Sequence, residues 1–160
     1  MYTSGALLDI HDRSQRSLIR LMEHCAEMPA ESIDREHDGF GYPTVRLQLH
    51  HLLGAQEYWI GVLQGRVEAD ENDHLYPTIA SLQEYRGRVA AQVRDYLESV
   101  DDAALNESAE YATWGGRTKI LMPAQVVLRT VMHMYHHQGQ IQAICRQAGV
   151  RIGRLDFPLD

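Results

Sequence analysis

Residues 123–148 read PAQVVLRTVMHMYHHQGQIQAICRQA and are followed by Gly149. Proline has no N–H to lose at the first helical position, and its fixed φ suits that position, so Pro123 opens a helix. Glycine suits the residue that ends one, so Gly149 closes it. A step of about 100° per residue, the α-helical increment, puts His133 and His137 on one side with Val126, Thr130, Ile141 and Ile144. On the same construction His136 falls among Arg129, Gln140 and Gln147. The segment is predicted to be one amphipathic helix over about 123–148 that turns two histidines inward, four residues apart, and leaves a third on its surface.

Working outward, three more segments carry helical spacing. Residues 44–64 start at Thr44, a good N-cap, and end before Gly65. Residues 3–28 carry Leu7, Leu18, Met22 and Cys25 on one face, with Thr3 or Ser4 to cap the start and Pro29 just past the end. The next helix starts between Thr78 and Ser81 and covers about 79–100, with Ser81 and Glu84 spaced as a capping box. Asp101 and Asp102 end it poorly. Residues 30–43 and the acidic stretch 66–77 read as loops, and the tail 151–160 has no periodicity. Around Gly115-Gly116 the stretch 105–121 fits either a short β-hairpin or an ordered loop. The expected fold is therefore all-α. It is an up-and-down-type four-helix bundle forming one domain over 1–160, with connections long enough to allow some crossover.

The second helix carries His50 and His51 side by side. The same construction puts His51 with Ala55, Tyr58, Trp59 and Val62, and His50 with Arg46, Glu57 and Gln64 on the polar side. Three inward histidines, His51, His133 and His137, then come from two helices. Neutral imidazoles are good ligands for divalent transition metals, and three protein ligands leave a coordination position for water or substrate. The competing reading is a hydrogen-bonded core. It carries a cost, since burying three imidazoles without partners is unfavourable by a few kcal/mol. His11, on the inward face of the first helix, is a candidate fourth ligand, supporting group or carbonyl-bonded core residue. Gln48 and Tyr58 lie inward near His51, where either could orient a substrate or a metal-bound water. Cys25 shares the face of His11 but reads as small core packing, and Cys145 as packing or surface. His24, His37 and His74 fall on polar faces or in loops and are given no role.

Composition sets the outer limits. The chain has 160 residues, nine of them histidine, and a formal net charge of −7. Nucleic-acid binding rests on Lys and Arg neutralising phosphates, so the acidic balance argues against it. No stretch approaches the roughly 18 continuous apolar residues of a membrane span. The start lacks the basic and apolar regions of a secretion signal. The two isolated cysteines suit reduced thiols, and a cytoplasmic location is expected.

The segments HHLLGAQEYWIGVLQG (50–65) and HMYHHQGQIQA (133–143) resemble the DinB-like superfamily of four-helix bundles. The first is similar to a family helix in which a histidine precedes an acidic-aromatic patch, here His51, Glu57 and Trp59. The second is similar to its HxxxHxGQ signature, here His133, His137, Gly139 and Gln140. The chain departs at Gln138, where many members carry arginine. The resemblance implies a metal, zinc or nickel, held by His51, His133 and His137, and a homodimer. It further implies a metal-dependent enzyme that activates a thiol or a water, as in transferases of low-molecular-weight thiols. A hydrolase would use the same metal. The alternatives are a non-catalytic metal-binding or stress-associated dimeric protein, and a bundle whose histidines serve only the core. A small-molecule substrate is expected, with no nucleic-acid or membrane partner.

Overall fold

The computed structural model describes residues 1–69, 71–153 and 155–159. The four long helices appear where periodicity and caps put them. Helix α1 covers Ser4–Ala26, and the Oγ1 of its N-cap Thr3 accepts the Ala6 N–H. Helix α2 is a single turn over Ala30–Ile33, inside the stretch expected as loop. Helix α3 covers Val45–Leu63, capped by Thr44, whose Oγ1 accepts the Leu47 N–H at 3.1 Å. Helix α4 covers Ile79–Ser99. Its capping box uses Thr78 and Ser81, each side chain accepting the other's backbone N–H at 3.1 Å, so the box lies three residues earlier than the Ser81–Glu84 spacing suggests. Asp101 caps a further short helix, α5, over Asp102–Asn106. Helix α6 covers Pro123–Gln147, with Pro123 in its first turn.

The Gly115-Gly116 stretch is a hairpin. Strand β1, Ala109–Thr113, pairs antiparallel with β2, Arg117–Leu121, with Ala109 opposite Leu121 and Thr113 opposite Arg117. Both turn glycines have positive φ, 69° and 68°, a region that side-chain-bearing residues avoid.

The long helices form a ring in which α1 packs on α4, α4 on α3, α3 on α6 and α6 on α1. The first two long helices, α1 and α3, therefore lie across a diagonal. Contacts fix the directions. Near one end Leu7, Ile60, Leu97 and Val127 share a core; toward the other, Met22, Leu49, Leu82 and Ile144 do. Helices α3 and α4 thus run parallel to each other and antiparallel to α1 and α6. Two parallel neighbours need a connection that returns along the bundle, and residues 64–78 supply it. The return starts tightly, with the Arg66 N–H bonded to the Gly61 carbonyl at 2.7 Å. A Cβ on Gly61 would sit 2.8 Å from the Arg66 carbonyl oxygen, so this reversal needs glycine there. The long connections anticipated from the sequence are what this crossover and the outlying hairpin require. Among the described residues no helix is long and apolar enough to cross a membrane.

Candidate metal centre

The seam between α3 and α6 gathers the three histidines. His51 reaches in from α3, and His133 and His137, one turn apart, from α6. One nitrogen from each lies within 4.8 Å of the other two. The Nε2 atoms of His133 and His137 are 3.2 Å apart. Two nitrogens each bound at 2.0–2.1 Å to a tetrahedral ion would be about 3.3 Å apart, so this pair already has the spacing of two ligands on one metal.

Neighbouring groups hold the ring orientations. Gln48, one turn before His51 and fully buried, sets its Oε1 2.5 Å from His137 Nδ1. The amide is oriented by its other end, where Nε2 donates to the Tyr42 carbonyl at 2.6 Å. With Oε1 thus facing the ring, His137 must carry its proton on Nδ1, which leaves the Nε2 lone pair toward His133. Tyr42 also stacks on His51 with ring centroids 3.8 Å apart and 19° between planes, and meets His137 edge-on. Gln48 was expected to orient a substrate or a water; it orients a histidine instead.

Burial and mutual repulsion keep the three rings neutral. His51, His133 and His137 are each pushed down to about 4, in every case first by loss of water around the ring. The proximity of other histidines adds to this, and for His133 so does the Arg129 guanidinium. Three neutral imidazoles from two helices, with lone pairs free at neutral pH, fit a divalent transition metal.

Other sequence-selected residues lie elsewhere. His136 is exposed and contacts Gln140, as its phase predicts. His50 is a correction. It is more buried than His51, at 8% exposure, and packs against Tyr76 and Tyr85. The polar-side assignment failed because α3 is covered on two sides, by α6 and by α4, whereas a projection onto one face allows for only one neighbour. His11 stays apart from the triad. It is buried against α4 near the Ala90 backbone, and its pKa is lowered chiefly by burial. Cys25 and Cys145 are both fully buried and face each other; the Cys145 sulfur and burial push the Cys25 thiol up, the Cys25 thiol pulls Cys145 down, and burial closes both off from the cleft. Tyr58 serves packing, its hydroxyl accepting the Trp114 N–H at 3.0 Å and docking the hairpin on α3. Gln138 is 1% exposed and donates to Ser17 Oγ and the Leu155 carbonyl, tying α6 to α1 and the tail.

Beside the triad opens a cleft of about 700 Å³ between α3, α6, the hairpin and the 64–78 crossover. His51 and His133 form part of its wall, with Tyr58, Trp59, Trp114 and Arg129. Helix α1 supplies none of it. Tyr42 and the hairpin cations Arg117 and Lys119 were missed by sequence reasoning, since loops and short strands carry no phase that aims a side chain. The Gly115-Gly116 turn was the only signal that could have found the hairpin wall.

The sequence profile of the DinB family matches residues 1–160. No match is found among curated proteins. Among solved structures the chain is similar to a DinB family member protein from Shewanella denitrificans, with a TM-score of 0.61 and 18% identity. The superposition covers 97% of this chain and 88% of that one, and it speaks for the shared fold.

Proposed function

The chain belongs to the DinB family, and on that premise we propose that it is a metal-dependent enzyme that activates a small thiol or a water against a substrate held in the cleft. The observation that carries this reading is the convergence of three neutral imidazoles, two of them in the wall of an open cleft. A site that served only to store or sense an ion would be closed by side chains, and a site that served only the core would have no cavity beside it. When bound, zinc or nickel would lower the pKa of a coordinated thiol or water and supply a nucleophile at neutral pH.

The chain's own residues do the remaining work. His51, His133 and His137 would hold the ion. Gln48 keeps the His137 proton on Nδ1, and Tyr42 caps the outer face of His51. Trp59 and Trp114 line the cleft where a substrate body would lie. Transfer of a low-molecular-weight thiol is the leading reaction class, on the resemblance of the histidine motifs; hydrolysis at the same centre is the runner-up. The proposal includes a cytoplasmic location, in keeping with two free buried cysteines, and a homodimer.

The test is metal analysis of the purified, untagged protein beside four variants. About one equivalent is expected in the parent and in His136→Ala, and none in His51→Ala, His133→Ala or His137→Ala. Thiol consumption with electrophilic acceptors is then measured on the loaded parent. A parent that takes up no zinc or nickel after reconstitution would sink the metalloenzyme reading.

A further inference from the structure

Three cations converge on the cleft. In a chain of net charge −7, three arginines outside the cleft pair with carboxylates: Arg13 with Asp9, Arg46 with Asp34 and Asp73, and Arg94 with Asp12 and Glu98. Arg117, Lys119 and Arg129 line the cleft, and among the described residues none of them has a carboxylate partner. Their placement is structured. Arg117 and Lys119 are two apart on β2 and so project from the same face of the hairpin. Arg129 comes from α6, one turn before His133, about 6 Å along the helix axis. Lys119 Nζ lies 5.8 Å from the centre of the Trp59 ring and the Arg129 guanidinium carbon 4.6 Å from it. Two like charges therefore lie against one aromatic ring. Like charges repel, and an anion bound near both would offset that repulsion. The acidic groups of the cleft, Glu71 and Asp73, belong to the crossover segment, and Asp73 is already bonded to Arg46.

We infer that the cleft selects a small organic anion, its carboxylate or phosphate held by Arg129, Lys119 and Arg117 and its apolar body resting on Trp59 and Trp114. Arginine offers a planar fork to either oxyanion, and the indole faces accept an aromatic or alkyl portion. The position of Arg129 one turn from His133 sets the charged end of such a molecule beside the three-histidine centre. This assignment of substrate class rests on the enzymatic reading above for its purpose, but not for its binding chemistry.

The chain contains two tryptophans and both line the cleft, so their emission reports its occupancy directly. The zinc-loaded protein is titrated with benzoate, phenylphosphate, neutral benzamide and cationic benzylamine, with calorimetry alongside. Benzoate or phenylphosphate is expected to bind at least tenfold more tightly than benzamide, and benzylamine more weakly still; whichever anion binds better names the head group. The affinity should fall with added salt. Lys119→Gln, on an exposed strand position, should weaken the anion about fivefold and Arg129→Gln about tenfold, without changing benzamide. His51→Ala should keep the anion preference while losing metal. Equal binding of benzoate, phenylphosphate and benzamide would overturn the inference and leave the metal proposal standing. So would an anion preference that vanishes in His51→Ala and survives in the Lys119 and Arg129 variants, because the anion would then be a metal ligand. A parent that binds no metal yet discriminates by charge through Lys119 and Arg129 would support the inference and sink the enzymatic reading.

Discussion

Replacement of Gln48 by leucine tests whether the centre is built by its supporting groups as well as by its histidines. Gln48 is fully buried, and its two hydrogen bonds run to His137 Nδ1 and the Tyr42 carbonyl. Leucine fills a similar volume and makes neither bond. His137 is then free to place its proton on either nitrogen and to rotate, and part of its population no longer offers the Nε2 lone pair to the site. Loss of a histidine's hydrogen-bonded support typically weakens metal binding about 10–100-fold, which is about 1.4–2.8 kcal/mol. The buried ring N–H and the Tyr42 carbonyl left without partners should also lower the stability of the metal-free protein by about 1–3 kcal/mol. For a chain of this size that corresponds to a fall of roughly 2–4 °C in Tm per kcal/mol. Affinity is read by zinc competition against a chromophoric chelator, and stability by thermal melting of the metal-free protein. Gln48→Glu separates the two effects. A carboxylate still accepts from Nδ1–H and should keep the zinc affinity near that of the parent, while loss of the donor to Tyr42 lowers Tm. A Gln48→Leu protein that melts cooperatively and binds zinc within twofold of the parent would refute the claim that Gln48 positions His137.

Further expectations rest on other parts of the structure. His50→Ala should remove a buried ring from between α3 and α4, costing about 2 kcal/mol in urea denaturation, and leave metal content unchanged; loss of metal in this variant would mean that the two adjacent histidines have been assigned the wrong way round. Gly61→Ala should destabilise by about 1–3 kcal/mol, because the new Cβ meets a backbone carbonyl at 2.8 Å; a neutral result would show that the crossover can shift away from α3. In the metal-free protein, His51, His133 and His137 titrate near 4 when folded and near the ordinary 6.5 when unfolded, so the unfolded chain takes up more protons between those values. Stability should be level above about pH 6.5 and decline as the pH falls toward 4, the half-exposed His51 and His133 contributing less than buried His137; constant stability from pH 7 to 4.5 would contradict the shifted values.

Much of the fold was legible because its cues are local. Caps and periodicity placed α1, α3, α4 and α6, since Thr3, Thr44, Pro123 and Gly149 act on the backbone within one turn of themselves. The triad was legible for a related reason. Imidazoles four apart must share a face of a helix, and inward phase on α6 and α3 sufficed to pick His133, His137 and His51 out of nine histidines. The Ser81–Glu84 box shows where local reasoning slips: two overlapping capping patterns compete there, and the one at Thr78 wins with bonds in both directions.

The sequence by itself determined which long segments are helical and that His133 and His137 share a face, because both follow from the fixed rise and rotation of a helix. The tertiary structure decided the rest. It set α3 parallel to α4, so that a return segment had to fold over Gly61 and form one side of a cleft. It covered a second side of α3 and so buried His50. It brought Tyr42 and Gln48 onto the histidines, and it swung Arg117 and Lys119 on a hairpin toward Arg129 and Trp59. These contacts join residues far apart in the chain through loops of irregular conformation. Their partners depend on how the helices are ordered around the ring, which helical periodicity does not specify.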